Sequence, residues 1–186
     1  MAAVLGSTQD FPIIDMGAPD AAEAICEALT NVGFLIVKNH GVDEAVLEKG
    51  WNATAEWFAR PRDEKLKAPA MGPDYAYGYS PVRGELLSAG AEDGNRALTG
   101  AAADVVLRPD EKEMWTVGPT GYDGSPDRRW PDNAEGLRLA LEGYYDAMSD
   151  LAERLLAKFA QALNLDDEAW FEKFTRKHAS ALRTIR

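Results

Sequence analysis

Two histidines, one cysteine and a short polar segment rich in tyrosine and arginine carry most of the chemistry this 186-residue chain could perform. A transition-metal centre needs several N, O or S donors converging at ligand spacing. His40 is followed by Gly-Val and His178 by Ala-Ser, so the sequence contains no His-x-Asp or His-x-Glu pair. Both histidines therefore read as structural, His178 as a residue near a helix carboxy-terminus where a protonated imidazole meets the dipole favourably. Cys26 has no second cysteine with which to form an internal disulfide. It falls inside a helical pattern, which predicts a buried, inert thiol in a reducing compartment. No local signature pairs it with a histidine as a nucleophile. Tyr79 and Arg83 share the segment GYSPVRGE, where they could build a polar wall or a carboxylate clamp, or equally a solvated turn with a surface ion pair. Trp115 and Trp130 read as packing residues.

Composition limits the partners. A formal net charge of -11 opposes binding to phosphate backbones and anionic lipid, so neither nucleic acid nor a membrane is expected as a partner. The 46% of apolar residues is enough for a real core. The first residues, MAAVLGSTQD, have neither a basic region nor a long apolar run, and nowhere do about 18 apolar residues follow one another. A cytoplasmic protein is expected.

The elements that must position these residues follow from periodicity. FPIID (11–15) is a short apolar run whose proline suits an edge strand. Asp20 with Glu23 three residues on predicts a capping box at the start of a helix whose buried stripe is Ile25, Ala28, Leu29 and Val32. After Gly33, the run Phe34 to Val37 predicts a strand covered on both faces. Asp43 is a candidate cap for a second helix, with Leu47, Trp51, Ala55 and Phe58 as its core stripe and Pro61 as its stop. GYSPV (78–82) and EMWTVG (113–118) are short strand candidates in an irregular middle, and the Ala/Gly-rich stretch Ser88 to Asp104 is a loop whose purpose the sequence leaves open. From about Asn133 to Leu163, Leu137, Leu141, Tyr144, Met148, Leu151, Leu155, Phe159 and Leu163 keep a 3.6-residue rhythm. That predicts one helix roughly 45 Å long, a strut under a sheet. Asp166 or Asp167 starts a shorter helix with Trp170, Phe171 and Phe174, and ASALRTIR reads as a half-buried strand.

The order FPIID, capped helix, GFLIVKNHGVDE, helix ending ARPRDEK, GYSPVRGE, KEMWTVG, RRWPDN, long helix and ALRTIR resembles the amino-terminal region of isopenicillin-N-synthase-like dioxygenases over nearly the whole chain. The most specific piece is GFLIVKNHGVDE. The GY and GE elements with KEMWTVG and a WP dipeptide look most like the bacterial branch that includes ethylene- and succinate-forming enzymes. The resemblance implies a double-stranded β-helix, or jelly roll, that holds iron(II) through a His-x-Asp pair and a distant His, and an Arg-x-Ser that holds 2-oxoglutarate. It implies that Glu85 lies on a loop reaching over the active-site mouth, where it would meet a cationic or amine-bearing substrate. Arg183, in LRTIR, would face the co-substrate or substrate pocket.

The expectation is thus an α+β chain, residues 1–186, forming the amino-terminal lobe of a jelly-roll oxygenase, with a long amphipathic helix packed on an incomplete sheet. It would end in the first strand leading into a missing carboxy-terminal catalytic domain. No catalytic or metal-binding residue is assigned. Tyr79, Arg83, Glu85 and Arg183 are the candidate substrate-binding residues. Iron(II) and 2-oxoglutarate belong to the full-length family and neither is expected to bind this chain alone; the expected partners are a small-molecule substrate and the missing domain. A non-catalytic stand-alone binding domain or a truncated gene product remains the alternative.

Overall fold

The computed structural model describes residues 11–71, 75–83 and 111–186. The Ser88 to Asp104 stretch and Glu85 lie outside them. In chain order the elements are β1 (Ile13–Asp15), α1 (Ala21–Asn31), β2 (Ile36–Lys38), α2 (Glu44–Ala59), α3 (Arg62–Lys65), β3 (Gly78–Ser80), β4 (Met114–Val117), α4 (Glu135–Ala162), α5 (Glu172–Thr175) and β5 (Leu182–Ile185). The chain divides into two compact units. One holds the residues up to Glu44 together with Asp146–Arg176, the other Ala45–Tyr145 with Lys177–Arg186.

In the first unit β1 and β2 pair in parallel, Ile14 opposite Val37. The crossover between them is α1, which buries Ala21, Ile25 and Ala28 against Ile14. A small apolar cluster results, joined by Phe159 and Ala162 of α4. Gly33 ends α1: its φ of +82° is a left-handed conformation that costs glycine nothing, and its N–H reaches back to the Ala28 carbonyl.

Several local expectations are corrected here. Asp20 occupies the cap position of α1, but its side chain makes no capping hydrogen bond. Leu29 is 41% exposed, because the narrow two-stranded sheet covers only a thin stripe of the helix. Cys26 is exposed, one position beyond the fully buried Ile25 and so turned about 100° away from the core. The strand after Gly33 is not covered on both faces: Phe34 and Ile36 are exposed, as are Phe11 and Ile13, and Phe11 meets Phe34 edge to face at 6.0 Å. α1 supplies a lid for one face of this pair of strands alone.

The second unit is built around an antiparallel sheet ordered β3-β4-β5. Its four-residue central strand β4 is buried at every position, as the middle of a covered sheet should be. Trp115 and Val117 point to one face and join a cluster with Trp57 and Phe58 of α2, Tyr79 of β3, and Leu137, Leu141 and Tyr145 of α4. Trp57 stands edge-on to Trp115 at 5.2 Å, and Trp130 stacks flat on Trp115 at 5.2 Å, so both Trp115 and Trp130 are packing residues. The helical stripe expected for α2 is displaced. Trp57, Phe58 and Gly50 are buried, whereas Trp51 is 78% exposed and Ala55 is also exposed. Gly50 is where α2 comes close to α4, since a Cβ there would sit 2.8 Å from the Tyr144 ring. The long helix has the length its rhythm implies, 28 residues. The short helix near the end is only Glu172–Thr175, and Asp167 instead holds a turn by accepting the Ala169 N–H. His178 accordingly lies beyond the helix, not in its last turn.

Candidate functional site

Two features of the second unit are candidates, a buried ionic cluster and an open groove. The first is a buried ionic cluster at the start of β4. Glu113 is 5% exposed and Lys65, at the end of α3, is 6% exposed. The Lys65 ammonium donates to both carboxylate oxygens of Glu113, at 2.9 and 2.7 Å, and to the Phe58 carbonyl at 2.9 Å. Its three protons are thereby matched by three acceptors. The Tyr79 hydroxyl donates to Glu113 Oε2 at 2.5 Å. Arg186 donates to the same Phe58 carbonyl at 2.7 Å and stands 3.8 Å from Glu113. Phe58 lies in the last turn of α2, where helix carbonyls have no intrahelical donor, so two cations cap that end. Burial raises the Tyr79 phenol well above the ordinary tyrosine range, reinforced by its hydrogen bond to and the charge of Glu113 and slightly opposed by Arg62. At neutral pH this hydroxyl is a fixed donor.

The second feature is an open groove of about 780 Å³ between α2, α4 and β5. Leu47, Trp51 and Thr54 form one wall, Leu141 and Tyr144 another, and Leu182 to Ile185 the third. Most of its lining is apolar, with Glu48 and Arg183 as the charged exceptions.

Of the four candidate substrate residues Glu85 lies outside the described residues, and the other three are not gathered in one place. Tyr79 is in the core, 2% exposed, with its hydroxyl taken up by Glu113. Arg83, three residues beyond β3 in a left-handed turn (φ +64°), forms an exposed ion pair with Glu111, its Nη2 2.6 Å from Oε1. Of the alternatives for that segment, a surface ion pair is the contact present at Arg83. Arg183 stands on β5 beside the groove, and its Nε donates to the Thr116 hydroxyl at 3.3 Å. Lys65 and Glu113 were missed by sequence reasoning. The signal was faint: a charged residue directly before a strand buried at every position, and a lysine closing a helix that a proline begins.

Comparison with known proteins bears on this arrangement. Residues 11–133 match the family described as the non-haem dioxygenase in morphine synthesis N-terminal region, more than half of the chain. The chain belongs to the non-haem, iron(II) and 2-oxoglutarate-dependent dioxygenases. A homoarginine-6-hydroxylase of Arabidopsis thaliana is 29% identical to this dioxygenase chain over 150 residues, 80% of the chain and 42% of that protein. A proline hydroxylase of Petromyces alliaceus is 30% identical, over 89% of this chain and 50% of its own length. Among solved structures, a 2OG-Fe(II) oxygenase family protein from Caulobacter crescentus superposes with a TM-score of 0.72 at 20% identity, covering 95% of this chain and 55% of that one. A full-length Neurospora crassa protein, solved in complex with alpha-KG and thymine, gives a TM-score of 0.68 at 23% identity, covering 96% and 56%. These likenesses establish the mixed α/β fold of 2OG-Fe(II) oxygenases. The dioxygenase chain spans about half the length of the curated relatives it matches.

The donors among the described residues do not fit the family's iron. Among the described residues no three His, Cys, Asp or Glu side chains converge into a metal-binding set. His40 Nδ1 accepts the Val42 N–H, and His178 Nδ1 pairs with the Ser180 hydroxyl at 2.7 Å, both local contacts. Among the described residues no helix is long and apolar enough to cross a membrane.

Proposed function

We propose that these 186 residues are the amino-terminal portion of a non-haem iron(II), 2-oxoglutarate-dependent oxygenase that oxidises a small molecule. One observation carries the reading. The family match runs over residues 11–133, while the chain's only two histidines are engaged locally. The iron ligands and the 2-oxoglutarate carboxylate clamp would then belong to a carboxy-terminal jelly roll, and the isolated chain would be inactive. The lobe, with α4 packed on its own incomplete sheet, would buttress that roll. The ethylene- and succinate-forming branch is the narrower proposal, supported by the sequence order around GYSPVRGE and KEMWTVG.

When bound, the metal and 2-oxoglutarate would supply the oxidising chemistry; the lobe supplies shape and placement. Glu85, Arg83, Tyr79 and Arg183 are proposed as its substrate-facing group. Arg183 presents its guanidinium beside an apolar groove, and Arg83 adjoins the segment carrying Glu85. Tyr79 would act at one remove, through Glu113. The test uses a longer protein in which this chain is continued by a segment carrying His-x-Asp. It should convert 2-oxoglutarate to succinate with iron(II), and Arg183→Ala should lower the yield of oxidised substrate per succinate. Unchanged coupling in both Arg183→Ala and Glu85→Ala would remove those residues from the substrate site.

A further inference from the structure

We infer that Glu113 is a positioning residue: its buried carboxylate, held by Lys65, Tyr79 and Arg186, sets the register of β5 on β4 and thereby the face on which Arg183 stands. The need for such a device follows from β5 itself. A strand's register is normally fixed by its hydrophobic face, because a one-residue slip turns every side chain over. β5 is four residues long with one large aliphatic side chain on each face, half-buried Leu182 opposite Val117 and the 58% exposed Ile185 opposite Met114, so a single core-facing aliphatic residue is all its apolar pattern offers to fix the register. A slip would carry Arg183 from the Thr116 side of the sheet to the side lined by Trp115 and Val117.

Polar contacts supply the missing preference. Glu113 and Arg186 exchange both backbone hydrogen bonds at 3.0 Å, one residue past the paired strand. The Glu113 side chain is anchored independently by Lys65 and Tyr79, on α3 and β3. The Arg186 side chain is anchored on α2 through the Phe58 carbonyl. In any other register, Arg186 leaves Phe58 and the anchored carboxylate loses its neighbouring guanidinium. The Arg186 side chain is 64% exposed, so its ion pair with Glu113 adds little net stability, while its bond to the Phe58 carbonyl and the paired backbone bonds are made together in this register. This set of contacts therefore acts on specificity more than on stability.

The register of β5 concerns this chain's own strand; only its consequence for Arg183 rests on the proposed function, and the test reads the strand, not activity. Amide hydrogen exchange and cross-strand NOEs on the 186-residue chain are compared for the wild type, Glu113→Gln, Lys65→Met, Glu113→Leu and the pair Lys65→Met with Glu113→Leu. In Glu113→Gln the β5 amides should exchange at least tenfold faster while α4 amides change less than twofold, and the 116–183 cross-strand NOE should weaken in favour of a shifted partner. The pair variant should melt above either single variant and still show the fast β5 exchange. A merely structural cluster would recover both properties together. Wild-type β5 protection and NOEs in Glu113→Gln, or in a folded pair variant, would overturn the inference.

Discussion

The Glu113 cluster and the Trp51 groove lie in the same unit and share α2 as a wall, yet they treat water oppositely. In the cluster, the Lys65 and Glu113 charges are buried and the lysine has an acceptor for every proton. In the groove, a tryptophan 78% exposed and an isoleucine 58% exposed stand beside an arginine. A side chain's type thus does not settle its burial within this unit: Lys65 and Glu113 are inside and Trp51 is outside. The inversion is where a functional reading should look, since satisfied buried charge specifies geometry and exposed apolar surface invites contact.

The comparison sharpens under substitution. Trp115→Ala should have the largest effect, about 3–5 kcal/mol of stability, because it empties a fully buried site and removes the contacts with Trp57 and Trp130. Chemical denaturation reads this directly, and a loss below about 1 kcal/mol would deny that this tryptophan centres the core. Next is Tyr79→Phe, which leaves the Glu113 carboxylate one donor short and should cost roughly 1.5–3 kcal/mol.

That variant also carries a pH signature. The native phenol is held above its unfolded value near 10. Above about pH 10 the unfolded chain therefore releases this proton while the native chain keeps it. The resulting stability is complete below the unfolded value and declines as pH rises toward the native one. Stability measured from about pH 9 to 11 should fall less steeply in Tyr79→Phe than in the wild type; parallel slopes would contradict the assignment. At the groove, Trp51→Ala should change stability by no more than about 0.5 kcal/mol, as its exposure implies. The smallest effect belongs to Cys26: an exposed thiol should react with a maleimide in the folded chain at nearly the rate seen in denaturant.

The backbone course was largely legible in the sequence, because β1, α1, β2, α2, β3, β4, α4 and β5 each announce themselves by period, proline or glycine. Faces were harder to read. In α2 a Trp51–Phe58 stripe and a Trp57-centred one are both apolar, and the choice depends on Trp115 and Tyr79, which arrive from strands far along the chain. The same holds for Cys26, one helical step off the buried stripe, and for Phe34 and Ile36, whose cover the local sequence does not specify. Of the candidate site, the strand that carries Arg183 was readable from its alternation. The Lys65–Glu113 pair, 48 residues apart, was not, since only the folded chain brings an α3 lysine against the first residue before β4.

Whether the oxygenase chemistry resides outside these residues is tested most directly by titrating the purified chain with iron(II) under anaerobic conditions and then adding 2-oxoglutarate and oxygen. The expected result is no saturable one-to-one iron binding and no succinate above the level of free iron. Tight stoichiometric binding followed by turnover would contradict it.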